Sequence, residues 1–214
     1  MTDIKNNGNI SAEHRFRAHP WHGVSLGENC PKIVTTYIEV VPSDTVKYEL
    51  DKESGLLKID RPQLYSSIYP TLYGMLPRTY CGERIGELCS KKTGKIDIKG
   101  DGDPLDICVM TEKIVPHGDI LLQARPIGGF RLLDGGEADD KILAVLVGDA
   151  LYGHWNNVDD VPEQVLKRLE HFFLTYKQMP GEDDQKCTLE GIYGREEAHE
   201  VIRLAQADYH DLDL

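Results

Sequence analysis

The chain has 214 residues, of which 40% are hydrophobic, so it is long enough and apolar enough to build one well-packed domain. Its 24 basic and 36 acidic residues give a formal net charge of -12, which argues against a general binder of nucleic acids or of anionic membranes. No stretch approaches the roughly 20 apolar residues of a membrane-spanning helix, and neither a nucleic acid nor a membrane is expected as a partner.

The cysteines and the N-terminal region bear on where the protein works. The chain has 5 cysteines, an odd number without a Cys-x-x-Cys pair, which fits neither a disulfide framework nor a zinc site. We therefore expect reduced thiols in a cytoplasmic protein. Residues 1–31 are interpreted as an N-terminal extension of a single domain over residues 1–214. The beginning of this extension lacks the apolar segment of a signal peptide, and a helix is expected at residues 11–17.

Three strands are predicted in the first third of the chain, at residues 33–41, 46–50 and 56–61. The first is rich in β-branched residues and carries one charge, Glu39, among apolar neighbours. The second alternates, so that Lys47 and Glu49 share one face, and the third forms a hairpin with it and carries Arg61. The polar face of this hairpin is either a solvated surface or a source of cations for an anionic substrate and of carboxylates for its metals.

Residues 62–80 are dense in tyrosine, and the whole chain has 10 tyrosines but only 4 phenylalanines. Because a buried tyrosine must find a partner for its hydroxyl group, this composition favours tyrosines that make hydrogen bonds, although packing explains any single one. Residues 81–99 are polar and are predicted to be a surface excursion. They resemble a phosphate-binding loop only superficially, because Cys89 stands where a glycine is required and Ile96 replaces the serine or threonine.

The sequence Gly-Asp-Gly-Asp-Pro-Leu-Asp at residues 100–106 concentrates carboxylates in one short turn. Glycine and proline make such a turn tight and rigid, and carboxylates aimed together repel one another unless a cation lies between them. Oxygen ligands of this kind select Mg²⁺, Mn²⁺ or Ca²⁺. On these residues alone, an acidic solvent-exposed turn is an equally good interpretation. A second acidic cluster at residues 134–140 makes that interpretation harder to keep.

Three further strands are predicted near these clusters, at residues 107–110, 120–130 and 142–147. The first two are expected to form a hairpin, and Gly128 and Gly129 predict a bend or a barrel corner.

Two helices are predicted in the last third of the chain, one that starts at about residue 161 and ends near residues 179–181, and one at residues 196–207, with a loop or short strand at 182–191. Apolar residues of the first helix recur at three- and four-residue spacing. Asp160 is expected to cap this helix, Pro162 suits its first turn, and Tyr176 and Lys177 are expected in its last turn.

Carboxylates and cations recur through these elements and together predict a phosphate site. The carboxylates are those of residues 39, 49, 101, 103, 106, 134 and 139, and the cations are those of residues 47, 61, 141 and 177. A site rich in both signs binds a phosphate compound together with several divalent ions. A water shared by two metals roughly 3.5–4 Å apart has a depressed pKa, a free carboxylate takes its remaining proton, and the cations neutralise the leaving phosphate.

The turn at residues 101–107 closely resembles the signature of family I soluble inorganic pyrophosphatases. The resemblance extends from about residue 38 to residue 177, through matching positions at residues 39, 47–49, 51–55, 60–61, 69–70, 73–74, 125–128, 134, 139, 141, 171–173 and 176–177. It implies a mainly β protein with flanking helices (α+β), an OB-like five-stranded β-barrel with two or more C-terminal helices packed outside. It also implies a homo-oligomer that hydrolyses pyrophosphate to two phosphates by direct attack of a metal-bridged water or hydroxide, with Mg²⁺ as the metal and Mn²⁺ as a substitute.

The resemblance also implies a role for each matching residue. Six carboxylates would hold the metals, namely Asp101, Asp106, Asp139, Asp134, Glu49 and Glu39. The two phosphates would be bound by Lys47, Arg61, Tyr73, Lys141, Tyr176 and Lys177. Asp103 would be the general base, and the residues that join it in catalysis would be Lys47, Arg61, Tyr73 and Lys141. Tyr69 would line the site.

Some features depart from the family pattern. The segment between Tyr73 and Asp101 is longer than in compact bacterial members and nearer in length to eukaryotic-type ones, and the N-terminal extension adds surface. A hexamer and a dimer therefore both stay open. In the second acidic turn, Gly135 and Gly136 stand where compact members carry a longer side chain, which predicts a looser loop.

Three other classes compete for the same residues. A calcium-binding EF-hand starting at Asp101 fails because Leu105 and Asp106 occupy its fifth and sixth positions and its flanking segments are strand-like. An OB-type oligonucleotide binder needs a basic groove with stacking aromatics, whereas this sheet mixes acids with bases. A metal-dependent phosphohydrolase of another phosphate compound is the strongest alternative because the same chemistry would serve. Against it, no segment is evidently reserved for a base or a sugar.

Overall fold

A computed structural model describes residues 17–178 and 186–212 of this chain. The helix expected at residues 11–17 lies almost entirely outside them. The strands are β1 (Val34–Val40), β2 (Val46–Leu50), β3 (Leu57–Pro62), β4 (Leu72–Met75), β5 (Asp106–Met110), β6 (Ile120–Asp134), β7 (Glu137–Ala138), β8 (Lys141–Leu146) and β9 (Cys187–Gly194). The helices are α1 (Glu83–Thr93), α2 (Glu163–Thr175) and α3 (Arg195–His210), and a 3₁₀ turn spans Val158–Asp160.

Five strands close into a barrel in the order β1, β4, β5, β8 and β6, because β6 pairs back onto β1. Within the barrel, β5 and β8 are parallel and the other pairs are antiparallel. β7 and β9 extend the sheet from β6, while β2 and β3 form a separate two-stranded hairpin. The predicted fold, a mainly β protein with an OB-like five-stranded barrel and helices packed outside, is confirmed.

Alternate residues of β5 enter two different apolar clusters, because side chains along a strand point to opposite faces. Ile107 and Val109 pack in the cluster that contains Ile202 of α3. The intervening Cys108 packs in the cluster that contains Phe172 of α2. Each large apolar side chain buried in this way contributes about 1.5–3 kcal/mol. β5, which continues directly from the acidic turn, is therefore packed between α2 on one face and α3 on the other.

The structure corrects the expectation for residues 81–99. They contain α1, whose Ile85, Leu88 and Cys89 are buried. Three- and four-residue spacing of these positions is the mark of a helix with one apolar face, and that face packs against α3. Gly94 ends the helix in the left-handed conformation, with φ of 73°. The polar composition of the outer face made the segment look like a surface excursion.

β6 is a single strand of 15 residues. The predicted hairpin between residues 107–110 and 120–130 was wrong, because β5 pairs with β4 and β8 and not with β6. The first part of β6 pairs with β1 and its later part with β9, which produces the expected corner. Gly129 is needed at this corner because a Cβ atom there would lie 2.3 Å from the ring of Tyr193.

The first predicted helix of the last third is α2, which begins directly after Pro162. Asp160 does not cap it. The Asp160 carboxylate accepts hydrogen bonds from two backbone N–H groups that precede or open the 3₁₀ turn, at 2.7 and 3.0 Å. Tyr176 is the C-terminal cap, so it follows the last helical turn and does not belong to it.

α3 confirms the second predicted helix and is longer than the expected residues 196–207. The segment expected to be a loop or short strand at residues 182–191 contributes the start of β9, and residues 179–185 lie outside the described part. Among the described residues, no helix combines the length and the apolar character needed to cross a bilayer.

Candidate active site

The first acidic turn and the polar face of the β2–β3 hairpin meet in one cavity. The residues that line it are Glu39, Lys47, Glu49, Leu50, Lys52, Tyr73, Met75, Asp103, Pro104 and Asp106. They come from β1, β2 and β4, from the connection between β2 and β3, and from the turn that leads into β5 together with the first residue of that strand. The closure of the barrel therefore brings together side chains that are far apart in the sequence, and most of the charged ones were predicted as site residues.

Lys141 connects this cavity to the second acidic cluster. The parallel pairing of β5 with β8 places Asp106 directly beside Lys141. The Lys141 ammonium group contacts the carboxylates of both Asp106 and Asp139, although the residue is only 3% exposed. Tyr73 donates a hydrogen bond from its hydroxyl group to Asp106 Oδ2 at 2.5 Å. Burial opposes the charge on Lys141, but the two carboxylates outweigh burial and raise the pKa of Lys141 well above its ordinary value.

Several carboxyl groups of the cluster are shielded from water and lie near one another. Burial and the nearby charge of Asp139 raise the pKa of Asp101 to about 8. Burial and the charge of Asp106 raise the pKa of Glu39 to about 8, and burial also raises the pKa of Asp139. These shifts mean that the negative charges lack full compensation from the chain. Divalent cations would supply that compensation, and oxygen donors of this kind suit Mg²⁺ or Mn²⁺.

Asp103 faces outward from the same turn. Its side chain is 51% exposed and contacts the ammonium group of Lys52. The backbone N–H of Asp103 donates to Asp101 Oδ1 at 3.0 Å, and Gly102 between them has φ of 74°, a conformation that favours glycine. The turn thus leaves the Asp103 carboxylate accessible to water, as a proton acceptor requires.

The second acidic turn leads from β6 through β7 to β8. Asp134 ends β6, and its carboxylate contacts the ammonium group of Lys177. Gly135 and Gly136 have φ of 60° and 93°, so both adopt conformations that favour glycine. The N–H of Gly135 donates to the carbonyl oxygen of Lys186 at 2.9 Å, which attaches the turn to the residue before β9.

The β2–β3 hairpin carries two cations side by side, because its register pairs Lys47 with Arg61. Lys47 Nζ lies 2.9 Å from Glu49 Oε2 and 3.2 Å from Asp60 Oδ2, and Arg61 also contacts Asp60. Burial opposes the charge on Lys47, but its carboxylate neighbours, first of them Glu49, raise its pKa. Asp60 was not predicted as a site residue, although it precedes Arg61 in a segment that matches the family.

Aromatic rings pack against one another beside the β2–β3 hairpin. The ring centroids of Tyr69 and Tyr73 are 4.7 Å apart, and Phe172 of α2 lies 4.7 Å from Tyr69 and 5.0 Å from Tyr176. The Arg61 guanidinium group lies 5.8 Å from the centroid of the Tyr176 ring. Burial raises the pKa of all three tyrosines, so their hydroxyl groups remain protonated at neutral pH.

Two buried features next to the cluster were missed from the sequence. Cys187 lies across from Asp134 in the pairing of β6 with β9 and close to Asp139. Asp140 is fully buried and lies 3.7 Å from Arg131 Nε, and Arg131 also donates a hydrogen bond to α3 at 2.8 Å. Both contacts depend on which strands pair and in which register, and no local sequence signal indicates them.

The structure links the predicted site residues through contacts among carboxylates, cations and tyrosines. A barrel with such a cluster carries the groups that a metal-dependent hydrolase of phosphate compounds requires. The family model described as inorganic pyrophosphatase matches residues 36–210. The chain belongs to the inorganic pyrophosphatase family.

Individual relatives agree in sequence and in fold. The inorganic pyrophosphatase of Chlamydia muridarum (strain MoPn / Nigg) is 54% identical over 198 residues, which are 91% of this chain and 95% of that protein. Soluble inorganic pyrophosphatase 3 of Arabidopsis thaliana is 34% identical over 197 residues, 92% of this chain and 81% of that protein. The crystal structure of the inorganic pyrophosphatase from Thermus thermophilus superposes with a TM-score of 0.75 at 29% identity, covering 90% of this chain and 99% of that one. The type I enzyme from Toxoplasma gondii gives a TM-score of 0.78 at 25% identity, with coverage of 91% and 88%.

Proposed function

We propose that this protein hydrolyses inorganic pyrophosphate to two phosphates with several bound Mg²⁺ ions, for which Mn²⁺ can substitute. The observation that carries this proposal is Lys141, a buried cation held between Asp106 and Asp139 where the two acidic clusters meet. A pocket that interleaves full charges of both signs suits an anion bound through divalent cations. Membership of the inorganic pyrophosphatase family supports the same substrate.

The metals are proposed to be held by carboxylates of the cluster, namely Asp101, Asp106, Asp139, Asp134, Glu49 and Glu39. When bound, divalent cations supply Lewis-acid charge and lower the pKa of a water that they share. The raised pKa values of Asp101 and Glu39 support this assignment, because both carboxyl groups are held where a positive charge is needed to keep them ionised.

The two phosphates are proposed to be bound by cations and tyrosines of the cluster, namely Lys47, Arg61, Tyr73, Lys141, Tyr176 and Lys177. The hairpin supplies the first two from one side, and the barrel strands and the end of α2 supply the others. Phosphoryl transfer depends chiefly on positioning and on neutralising charge, so no covalent nucleophile is required. The protonated tyrosines can donate hydrogen bonds to phosphate oxygens.

Asp103 is proposed to be the general base. Its half-exposed carboxylate belongs to the same turn as Asp101, whose carboxylate accepts a hydrogen bond from the backbone N–H of Asp103. A carboxylate in this position can accept a proton from the attacking water while its neighbours are engaged with metals. Together with Asp103, the residues proposed to be catalytic are Lys47, Arg61, Tyr73 and Lys141.

The test of this function is phosphate release from pyrophosphate, ATP and a simple phosphomonoester, each with Mg²⁺ and with EDTA. We expect release from pyrophosphate with Mg²⁺, little from the other two compounds, and none with EDTA. Faster release from ATP or from the phosphomonoester would overturn the proposal in favour of a hydrolase of another phosphate compound.

We also propose that the protein is a cytoplasmic homo-oligomer. All five cysteines are unpaired, as is usual in a reducing compartment. Leu56, Ile59 and Tyr65, within or beside the β2–β3 hairpin, have largely exposed apolar side chains, and such side chains would suit contact with a second copy. Light scattering on the purified protein distinguishes a monomer from a dimer or a hexamer.

A further inference from the structure

Cys187 is the first residue of β9, and the strand register places it directly across from Asp134 at the end of β6. Residues opposed in this way on antiparallel strands share a face, with Cβ atoms about 4.5–5.5 Å apart. Asp139 also lies close to these two residues. Its backbone N–H donates to the carbonyl oxygen of Leu132, two residues before Asp134 on β6, at 3.0 Å. As a result, one oxygen of each carboxylate and the sulfur of Cys187 all lie within 4.8 Å of one another.

The surroundings of this thiol are unusual for a cysteine that only fills space. Cys187 is 97% buried, being 3% exposed, yet it belongs to none of the three apolar clusters found in residues 17–178 and 186–212. Within the same described residues, no group makes a hydrogen bond with its sulfur. The neighbours towards which the thiol is aimed are the carboxylates of Asp134 and Asp139. The three groups thus offer one sulfur and two oxygen ligands to a divalent cation placed among them.

We propose that Asp134, Asp139 and Cys187 bind a thiophilic divalent cation, Zn²⁺, in competition with Mg²⁺. Carboxylate oxygens suit either ion, whereas a thiolate ligand favours Zn²⁺ over Mg²⁺ because sulfur is a soft donor. On binding, the S–H bond of Cys187 breaks, the thiolate binds the cation and the proton passes to solvent. Lys177 and Lys141, which contact the two carboxylates in the protein without metal, must give up those contacts.

This inference rests on the proposed function only in treating Asp134 and Asp139 as metal ligands. If both assignments hold, Zn²⁺ occupies part of the pyrophosphate site and inhibits the Mg²⁺-dependent reaction. The convergence of the thiol with the two carboxylates does not depend on the reaction, so binding can be measured without substrate.

The experiment uses Co²⁺ as a spectroscopic substitute for Zn²⁺, since Co²⁺ bound to a thiolate gives a sulfur-to-metal charge-transfer band in the near ultraviolet. The full-length protein, freed of Mg²⁺, is titrated with Co²⁺ and then with Zn²⁺. We expect a charge-transfer band that saturates at one equivalent of Co²⁺ and disappears when Zn²⁺ is added. Cys187→Ser should abolish the band and weaken Co²⁺ binding at least about tenfold. Cys30→Ser is the matched control, because it removes the more exposed thiol and should leave the band unchanged.

Saturation of the wild-type protein with Co²⁺ without a charge-transfer band would overturn the proposal, as would a band that Cys30→Ser removes and Cys187→Ser retains. Should Cys187→Ser fail to fold by circular dichroism, Asp134→Asn replaces it, because this variant keeps the thiol and loses one oxygen ligand. Asp134→Asn is expected to weaken Co²⁺ binding by a similar factor, and unchanged binding would contradict the site. A protein that hydrolyses pyrophosphate but gives no band refutes this inference alone, whereas a band without hydrolysis refutes the proposed function alone.

Discussion

Lys141→Met removes the buried ammonium group that Asp106 and Asp139 share, while it keeps most of the apolar stem. Both carboxylates then lose their nearest positive charge in a place that is 3% exposed. Removing one partner of a buried ion pair typically costs about 3–5 kcal/mol. At about 2–4 °C per kcal/mol for a protein of this size, Tm of the metal-free variant should fall by about 6–20 °C.

The assay is calorimetric unfolding of wild type and variant, first in EDTA and then with Mg²⁺. Because a divalent cation can replace the missing ammonium charge, Mg²⁺ should raise Tm of Lys141→Met more than Tm of the wild type. Lys167→Met is the matched control: Lys167 lies on the surface of α2, where it pairs with Glu163, and its loss should change Tm little in either condition. The reasoning is refuted if Lys141→Met is as stable as the wild type in EDTA, or if Mg²⁺ fails to recover the loss.

Three further predictions address the chemistry. Asp103→Asn should nearly abolish turnover and leave Tm close to that of the wild type, since it keeps the volume and removes the proton acceptor; normal turnover would exclude Asp103 as the base. Lys47→Ala should raise KM for pyrophosphate more than it weakens Mg²⁺ binding by titration, and the opposite order would contradict its role towards phosphate. Burial and Asp106 raise the pKa of Glu39 from 4.5 to about 8, so the metal-free native state binds a proton that the unfolded chain has lost. The stabilising effect of that proton is complete below pH 4.5 and is lost as the pH rises towards 8. Glu39→Gln should flatten the corresponding decline of Tm in EDTA, and an unchanged slope would refute the assignment.

Strands were predictable where local pattern and burial agree. β1 has a β-branched run with one charge, and the predicted pairing of β2 with β3 is present, with an irregularity in the register between Lys47 and Tyr48. α1 was missed because its charged outer face dominates the composition, although Ile85, Leu88 and Cys89 keep helical spacing. The pairing of β5 with β4 and β8 was beyond local reasoning, because non-local pairing is decided by closure of the whole barrel.

For the candidate site too, some features were predictable from the sequence and others were not. Its residues were predicted because their order and spacing match a family, and the structure shows the contacts that spacing cannot show. The parallel register that sets Asp106 beside Lys141 is one such contact. The positions of Cys187 and Asp140 were missed, because a cysteine or a second aspartate carries no local sign of the strand it will face.

The central claim is that carboxylates from both acidic turns and from the hairpin form one pocket for several metals. Anomalous diffraction from crystals grown with Mn²⁺ and phosphate tests it most directly. The account predicts adjacent Mn²⁺ peaks, roughly 3.5–4 Å apart, within ligand distance of Asp101, Asp106 and Asp139, with phosphate beside Lys141. Mn²⁺ peaks only at separate surface positions, with none within reach of Asp106, would contradict it.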